Sequence, residues 1–129
     1  MAQIIQRDLF EFHSTSIALG ASTSSVVSAY QSKAGLAVDV GLDLLRFNTK
    51  SFFLKNQGPN IVASAQLEST NIPAEQRNAN DWEIIDSSTF APLAAGAVKS
   101  LNINDGRRYW RMRASSTQPT VVIAGVAAR

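Results

Sequence analysis

Hydrophobic and polar residues alternate along much of this chain, most clearly in the segment GLAVDVGLDLL, residues 35–45. Five apolar residues share one parity, and two aspartates lie among the residues between them: Leu36, Val38, Val40, Leu42 and Leu44 against Ala37, Asp39, Gly41 and Asp43. A period of two is typical of a β-strand with one buried face. Because glycine and valine disfavour a helix, we predict a half-buried strand here.

Further segments have the composition of strands and are separated by turn residues. They are LFEFHSTSIAL (9–19), KSFFLKN (50–56), NIVASAQLEST (60–70), DWEIID (81–86), VKSLNIN (98–104), RRYWRMRAS (107–115) and PTVVIAGVA (119–127). SSVVSAYQSKAG (24–35) is either one more strand, which we favour, or one helical turn. About eight strands with Asn, Asp, Gly and Pro between them indicate an all-β sandwich or barrel. The 129 residues contain neither a repeat nor a linker, which predicts one domain over residues 1–129.

The composition is that of a folded domain with little net charge. Hydrophobic residues make up 45% and charged residues 17% of the chain, which favours a packed core over disorder. The formal net charge of +2 is too small to indicate nucleic-acid binding by itself. The absence of cysteine excludes disulfides, thiolate metal sites and thiol nucleophiles. No stretch has the length of a membrane span, so we expect no membrane partner.

Positive charge is concentrated in DGRRYWRMRAS, residues 105–115, which holds four of the twelve basic residues. Asp105-Gly106 is a strong turn dipeptide, so we predict that a strand begins at Arg107. Alternation from that point puts three apolar side chains in the core: Trp110, Met112 and Ala114. The opposite face becomes an exposed basic stripe with one aromatic ring, formed by Arg107, Tyr109, Arg111 and Arg113.

Three interpretations of this stripe remain open. It is a solvated sheet face whose arginines pair with acids of neighbouring strands, such as Asp39 and Asp43. Alternatively, it binds a protein partner through bidentate arginine–carboxylate contacts. As a third possibility, it binds single-stranded nucleic acid by stacking and phosphate contacts, against which the low net charge argues. We predict that the four stripe residues bind a protein partner.

The sequence contains no constellation that indicates an enzyme, and we predict no catalytic, cofactor-binding or metal-binding residue. His13 is the single histidine and has no acid–nucleophile pattern near it. Asp39 and Asp43 are about 13 Å apart along a strand, too far to share a metal ion. The spacing in NINDG, residues 102–106, does not match a calcium loop, and a hairpin turn is the expected structure.

The order of these segments resembles that of the small jelly-roll cement, or decoration, proteins of tailed bacteriophages. The similarity spans almost the whole chain: a Ser/Thr/Ala-rich stretch after the first strand, then LAVDVGLDLL, VASAQLEST, DWEIIDSSTF, LAAGAVKSLNI, RRYWRMRAS and TVVIAGVAAR. It depends on layout, since no catalytic or ligand motif supports it. The polar connection STNIPAEQRNAND, residues 69–81, is long for this layout. It is either a contact loop or a solvated crossover.

The resemblance implies a jelly-roll-like β-sandwich and a non-enzymatic virion protein. Such a protein would be made in the host cytoplasm and would bind the major capsid protein on the outer surface of the head, often as a dimer or trimer. The apolar C-terminal run VVIAGVAAR is either an edge strand that needs a partner or a strand that closes the sandwich. The alternative function is a carbohydrate- or receptor-binding sandwich that uses Trp82, Tyr109 or Trp110 as a stacking platform.

Overall fold

The structure, a computed structural model, describes residues 11–19, 23–27 and 41–129. Within these residues it contains nine β-strands, two short 3₁₀ helices and no α-helix. The strands are β1 (Glu11–Leu19), β2 (Thr23–Val27), β3 (Leu42–Asp43), β4 (Lys50–Gly58), β5 (Ser64–Thr70), β6 (Glu83–Asp86), β7 (Val98–Ile103), β8 (Tyr109–Ser116) and β9 (Thr120–Ala128). In these ranges no helix is long and apolar enough to cross a membrane.

The strands form two antiparallel sheets. Sheet 1 has the order β1–β9–β4–β7, and sheet 2 has the order β2–β8–β5–β6. The two-residue strand β3 also pairs with β8, next to the stretch that pairs with β2. Apart from β3, each sheet therefore has four strands, so the part of the chain that the structure describes has eight main strands.

The strand pairs are nested along the chain, with β1 on β9, β2 on β8, β4 on β7 and β5 on β6. This nesting arises when one long antiparallel hairpin is rolled up, so that successive pairs fall alternately in the two sheets. The result is a jelly roll. The predicted fold class, an all-β jelly-roll-like sandwich of about eight antiparallel strands, is confirmed.

Alternation along the long strands builds the core between the two sheets. Phe52 and Leu54 of β4 are fully buried, whereas Lys55, which has the opposite parity, is exposed. The remaining buried apolar residues come from both sheets and from the connections: Leu19, Leu42, Leu44, Phe47, Val62, Ala65, Leu67, Phe90, Leu93, Trp110, Met112, Ala114, Val122, Ala124, Val126 and Ala128. Since both sheets contribute, the core is a single layer of interdigitated side chains.

Only the end of the strand predicted at residues 36–44 lies within the described residues. Leu42 and Leu44 are buried and Asp43 between them is exposed, as the alternation predicts. The strand itself covers only Leu42–Asp43. Residues 28–40 lie outside the described residues. They include Asp39 and most of SSVVSAYQSKAG. The start of that segment, residues 24–27, belongs to strand β2 (Thr23–Val27), as predicted.

The apolar C-terminal run is a central strand, and the interpretation of it as an exposed edge is wrong. Strand β9 pairs with β1 on one side and with β4 on the other. The alternative, a last strand that closes the sandwich, is confirmed. Its composition follows from this position, because Val122, Ala124 and Val126 point into the core and are fully buried.

The turn at residues 104–108 does not close a hairpin, contrary to the prediction. Strand β7 belongs to sheet 1 and β8 to sheet 2, so this connection crosses between the sheets. Strand β8 begins at Tyr109, two residues later than predicted. The Asp105 side chain accepts a hydrogen bond from the Arg107 backbone N–H at 2.8 Å, and its carbonyl accepts one from Lys50 Nζ at 2.6 Å. These bonds hold the crossing in place.

Candidate partner-binding site

Strand β8 carries the second half of the arginine stretch through the middle of sheet 2, between β2 and β5. Three of its side chains point into the core and are at most 2% exposed: Trp110, Met112 and Ala114. This confirms the predicted core face. Tyr109, Arg111 and Arg113 have the opposite parity and lie on the outer face of sheet 2.

Arg111 is buried, and the prediction that it lies on the surface is wrong. The residue is only 5% exposed although it is on the outer face of the sheet. Its Nε donates to Oε1 of Glu68, directly opposite on β5, at 2.6 Å, and Glu68 is 3% exposed. The indole of Trp82 covers the pair, with its ring centroid 4.2 Å from the Arg111 Cζ. The parity was right, but a second layer covers the face at this position.

The polar connection at residues 71–82 supplies that cover. Two 3₁₀ helices, Ala74–Gln76 and Ala79–Asp81, shorten it and bring Trp82 back onto sheet 2. Gly41 makes room for the indole, because a Cβ at this glycine would lie 2.6 Å from Trp82 Cη2. Gly41 also has a φ of +80°, which favours glycine. The connection joins β5 to its neighbour β6 within sheet 2, so its interpretation as a crossover between the sheets is wrong, and a partner contact through it stays a prediction.

Arg77, in this connection, joins the two aromatic rings of the face. Its Cζ lies 4.6 Å from the Trp82 centroid and 4.9 Å from the Tyr109 centroid. Its Nε and Nη2 donate to the Ile72 carbonyl at 3.0 and 2.8 Å. Arg108 stacks on Tyr109 as well, at 5.1 Å. Alternating arginines and aromatic rings therefore form a stacked layer on the outer face, held by cation–π contacts.

Carboxylates neutralise the arginines at the start of the stretch. Arg107 Nη1 lies 2.9 Å from Oε2 of Glu83, the first residue of β6. Arg108 donates through Nε and Nη2 to Oδ2 of Asp43 at 2.9 and 2.8 Å, and this bond raises the pKa of its guanidinium. Asp43 is therefore an arginine partner as expected, but it binds Arg108 and not a residue of the predicted stripe.

Arg113 is the stripe arginine with the fewest partners. Its nearest acid is Glu68, whose Oε2 lies 4.0 Å from Nη1 and accepts a hydrogen bond from Gln66 instead. The Nε atom is buried and has no hydrogen-bond partner among the residues that the structure describes. The side chain is 39% exposed. It borders a cleft of about 390 Å³ whose other described lining residues are small or polar: Ser64, Ala65, Gln66, Ser87 and Ala114.

Neither tryptophan presents a flat face to solvent. Trp110 is fully buried and donates its indole N–H to the Arg107 carbonyl at 2.8 Å. Trp82 is 9% exposed and lies between Arg77 and Arg111. Tyr109 is half-buried. A sugar-stacking platform needs an exposed aromatic plane. Neither tryptophan provides the platform that the carbohydrate-binding alternative requires.

Lys50 is a buried cation that sequence reasoning did not single out. Its residue is fully buried, and Nζ donates to the carbonyls of Phe47 and Asp105 at 2.9 and 2.6 Å. Nζ also lies 5.5 Å from the Trp110 ring centroid. Burial lowers the pKa of Lys50, and the nearby Asp105 opposes this shift only in part. Its alternation with Phe52 and Leu54 was the available indication of burial.

Glu68, Arg77 and Trp82 complete the site, and their assignments differ from what the sequence suggested. The sequence suggested Trp82 as a sugar-stacking platform and indicated no role for Glu68 or Arg77. Alternation gives Glu68 the parity opposite to Leu67, but its pairing with Arg111 could not be inferred from the sequence. His13 lies in β1 as predicted, but its side chain is outside the described residues. Within the described ranges, no three acidic or histidine side chains come together as a metal site.

Comparison with known proteins adds no family to this description. No family model matches the sequence, and no curated protein sequence is similar to it. What the structure supports of the resemblance is therefore the fold alone: an all-β sandwich of two sheets.

Proposed function

We propose that this chain is a non-enzymatic structural protein of a bacteriophage head, a cement protein that binds the outer surface of the capsid. Its partner is the major capsid protein, and it acts as a dimer or trimer. The observation that carries the proposal is the preassembled layer of arginines and aromatic rings on the outer face of sheet 2. Arginine, tyrosine and tryptophan are the residues that dominate protein interfaces.

A rigid layer is suited to binding another rigid surface. Stacking on Trp82 and Tyr109 already orders Arg77 and Arg108 in the free protein. These side chains therefore lose little further rotamer freedom when a partner covers them. Because the ordering of long side chains opposes association, a preordered surface retains more of its contact energy as affinity.

The charges of the face favour a protein partner over nucleic acid. Arg107, Arg108 and Arg111 each lie within hydrogen-bonding distance of a carboxylate of the same chain. A phosphate backbone that approached them would also approach those carboxylates, which repel it. A folded capsid surface, with both signs of charge, can match such a mixed pattern.

Stabilisation of a head would follow from linkage. A protein that binds the assembled shell across the boundary of two subunits, and binds free subunits less well, shifts the equilibrium towards the assembled state. The stabilisation grows with the concentration of the cement protein relative to its dissociation constant. No chemical step is required, so the proposed function needs neither a cofactor nor a catalytic residue.

The test uses heads of the phage that encodes this chain, prepared from a mutant that lacks the gene. We expect the purified chain to cosediment with these heads, to saturate at a fixed number of copies and to raise the temperature at which the heads release DNA. Electron microscopy of the intact virion should show density for the jelly roll on the outer surface. Failure to cosediment, together with virions that lack the chain, would contradict the proposal.

A further inference from the structure

We infer that the cleft beside Arg113 is a receptor for one carboxylate side chain, Asp or Glu, of the protein partner. This inference rests on the proposed function, because it names the chemistry by which the same face would recognise its partner. The cleft is formed by Ser64, Gln66 and Ser87 with Arg113 at its wall. Ala65 and Ala114 also line it.

Charge accounting around Glu68 shows why Arg113 has binding capacity to spare. Glu68 is the one acid within ion-pair distance of both Arg111 and Arg113. Its Oε1 accepts from Arg111 at 2.6 Å, and its Oε2 accepts from the Gln66 amide. Arg113 Nη1 stays 4.0 Å from Oε2, beyond hydrogen-bonding distance. A single carboxylate therefore serves two arginines, and Arg113 receives the smaller share.

The charge of Arg113 is only partly compensated. Its Nε is enclosed and makes no hydrogen bond with any residue that the structure describes, although buried donors are almost always paired. The guanidinium is nevertheless accessible, since 39% of the side chain is exposed. In contrast, Arg108 uses two donors on Asp43, and Arg107 is 2.9 Å from Glu83. Arg113 is therefore the stripe arginine that is least paired within the chain and has the most capacity to bind an incoming acceptor.

The cleft favours a carboxylate over a phosphate. A guanidinium binds a planar carboxylate through two parallel N–H donors. Because Glu68 already compensates Arg111, the cluster offers one positive charge, which a monoanion balances and a dianion exceeds. The cleft of about 390 Å³ accommodates one short acidic side chain, and the Gln66 amide at its wall has a second N–H besides the one that it donates to Glu68.

Acetate titration of the full chain, observed through backbone amide signals, tests the ligand chemistry. At constant ionic strength against chloride, we expect the amides of Gln66 and Ala114 to shift saturably, with a dissociation constant on the order of 10 mM. Arg113→Gln should weaken this binding at least about tenfold, and Arg113→Lys, which keeps the charge but not the fork, should weaken it by a smaller factor. Lys55→Gln removes one exposed charge from sheet 1 and should leave the titration unchanged.

Three outcomes of this titration would overturn the inference. They are the absence of saturable shifts, equal weakening by Lys55→Gln, and inorganic phosphate binding more than about tenfold tighter than acetate at the same amides. Cosedimentation with heads that lack the protein then separates the two proposals. If the wild-type chain binds heads and Arg113→Gln binds equally well, the cleft is not the partner's receptor. If the wild-type chain does not bind, the proposed function fails, and the titration alone decides the chemistry of the cleft.

Discussion

At the scale of single residues, the Arg111–Glu68 pair shows how the outer face of a sheet becomes a second interior. Both side chains point away from the core, yet both are almost completely buried, at 5% and 3% exposure. Two charges removed from water are tolerated only when each has its partner in good geometry. The 2.6 Å bond between Arg111 Nε and Glu68 Oε1 meets this condition. The pair therefore determines how sheet 2 and its cover fit together.

Removal of Arg111 should be much more costly than the loss of an exposed arginine. We expect Arg111→Ala to lower the free energy of unfolding by about 3–5 kcal/mol, because it leaves the Glu68 charge buried without its main partner. A surface arginine would change it by about 0.5 kcal/mol or less. Urea unfolding of the wild type and of Arg111→Ala measures this loss of stability. The double variant Arg111→Met, Glu68→Leu is the control and should regain most of the loss, since it removes both charges together. A loss below about 1 kcal/mol for Arg111→Ala would contradict the burial of this pair.

Lys50 should make the stability depend on pH in the alkaline range. Its pKa is lowered in the folded chain from the usual 10.5, so between the lowered pKa and 10.5 the unfolded chain binds more protons. Stability from this group therefore rises with pH in that window. We expect the free energy of unfolding of the wild type minus that of Lys50→Met to increase as pH rises towards 10.5, by at most about 1.36 kcal/mol per pH unit. Chemical unfolding at several pH values measures it, and a difference that stays constant or falls would contradict the prediction.

Single-residue expectations were correct where alternation alone decides the outcome. Trp110 is buried because its parity on a central strand leaves no other position. Arg111 has the parity of an exposed residue, and its burial depends on Trp82, which is distant in sequence and arrives through an irregular connection. Alternation reports the two sides of a strand, but it carries no information on what lies above the outer side. The same limit applies to Arg77, whose stacking partners come from two different elements.

At the scale of elements, the cover of sheet 2 depends on one close contact between Gly41 and Trp82. We expect Gly41→Ala to destabilise the chain both through its φ of +80°, at about 1–2 kcal/mol, and through the collision with the indole. In a Trp82→Ala background the collision is absent, so the cost of Gly41→Ala should fall by at least about 0.5 kcal/mol. A double-mutant cycle from urea unfolding measures this coupling. Strictly additive effects would show that the indole does not lie on Gly41.

The strands themselves could be predicted, but some of their pairings could not. The segments predicted at 50–56, 98–104 and 119–127 correspond to β4, β7 and β9. Asp105-Gly106 indicates a reversal of the chain. Because a hairpin and a crossover between sheets both need such a reversal, this dipeptide could not show that β7 and β8 lie in different sheets. An apolar run of nine residues equally suits a central strand and an edge strand with a partner. Long-range pairing decides between these cases, and no local pattern reports it.

At the scale of the whole molecule, the position of β9 determines how oligomer formation can be tested. Because β9 lies between β1 and β4, a chain that ends at Gln118 would lose the centre of sheet 1 and is not a useful control. The prediction of a homo-oligomer now depends on the proposed function. We expect sedimentation of the intact chain to give the mass of a dimer or trimer, either alone or on the head. A monomer under both conditions would contradict it.

The distribution of charge over the whole molecule predicts weak binding to nucleic acid with little dependence on salt. Among the four arginines of residues 107–113, Arg107, Arg108 and Arg111 lie close to a carboxylate, so Arg113, 4.0 Å from Glu68, is the one expected to contribute a phosphate contact. Each phosphate contact with a single strand contributes about −0.7 to the slope of log K against log salt. We therefore expect a slope near −0.7 for a labelled single-stranded oligonucleotide in fluorescence anisotropy, whereas four free arginines would give about −2.8.

A matched variant tests the cause of this weak salt dependence. Asp43→Asn with Glu83→Gln removes the acids that neutralise Arg108 and Arg107, and all arginines stay in place. Two released cations should steepen the slope by about −1.4 and strengthen binding at low salt. A wild-type slope already near −2.8, with no change in the variant, would mean that the internal ion pairs open when nucleic acid binds. In that case the arginine face would be better explained as a nucleic-acid surface than as a contact for a capsid.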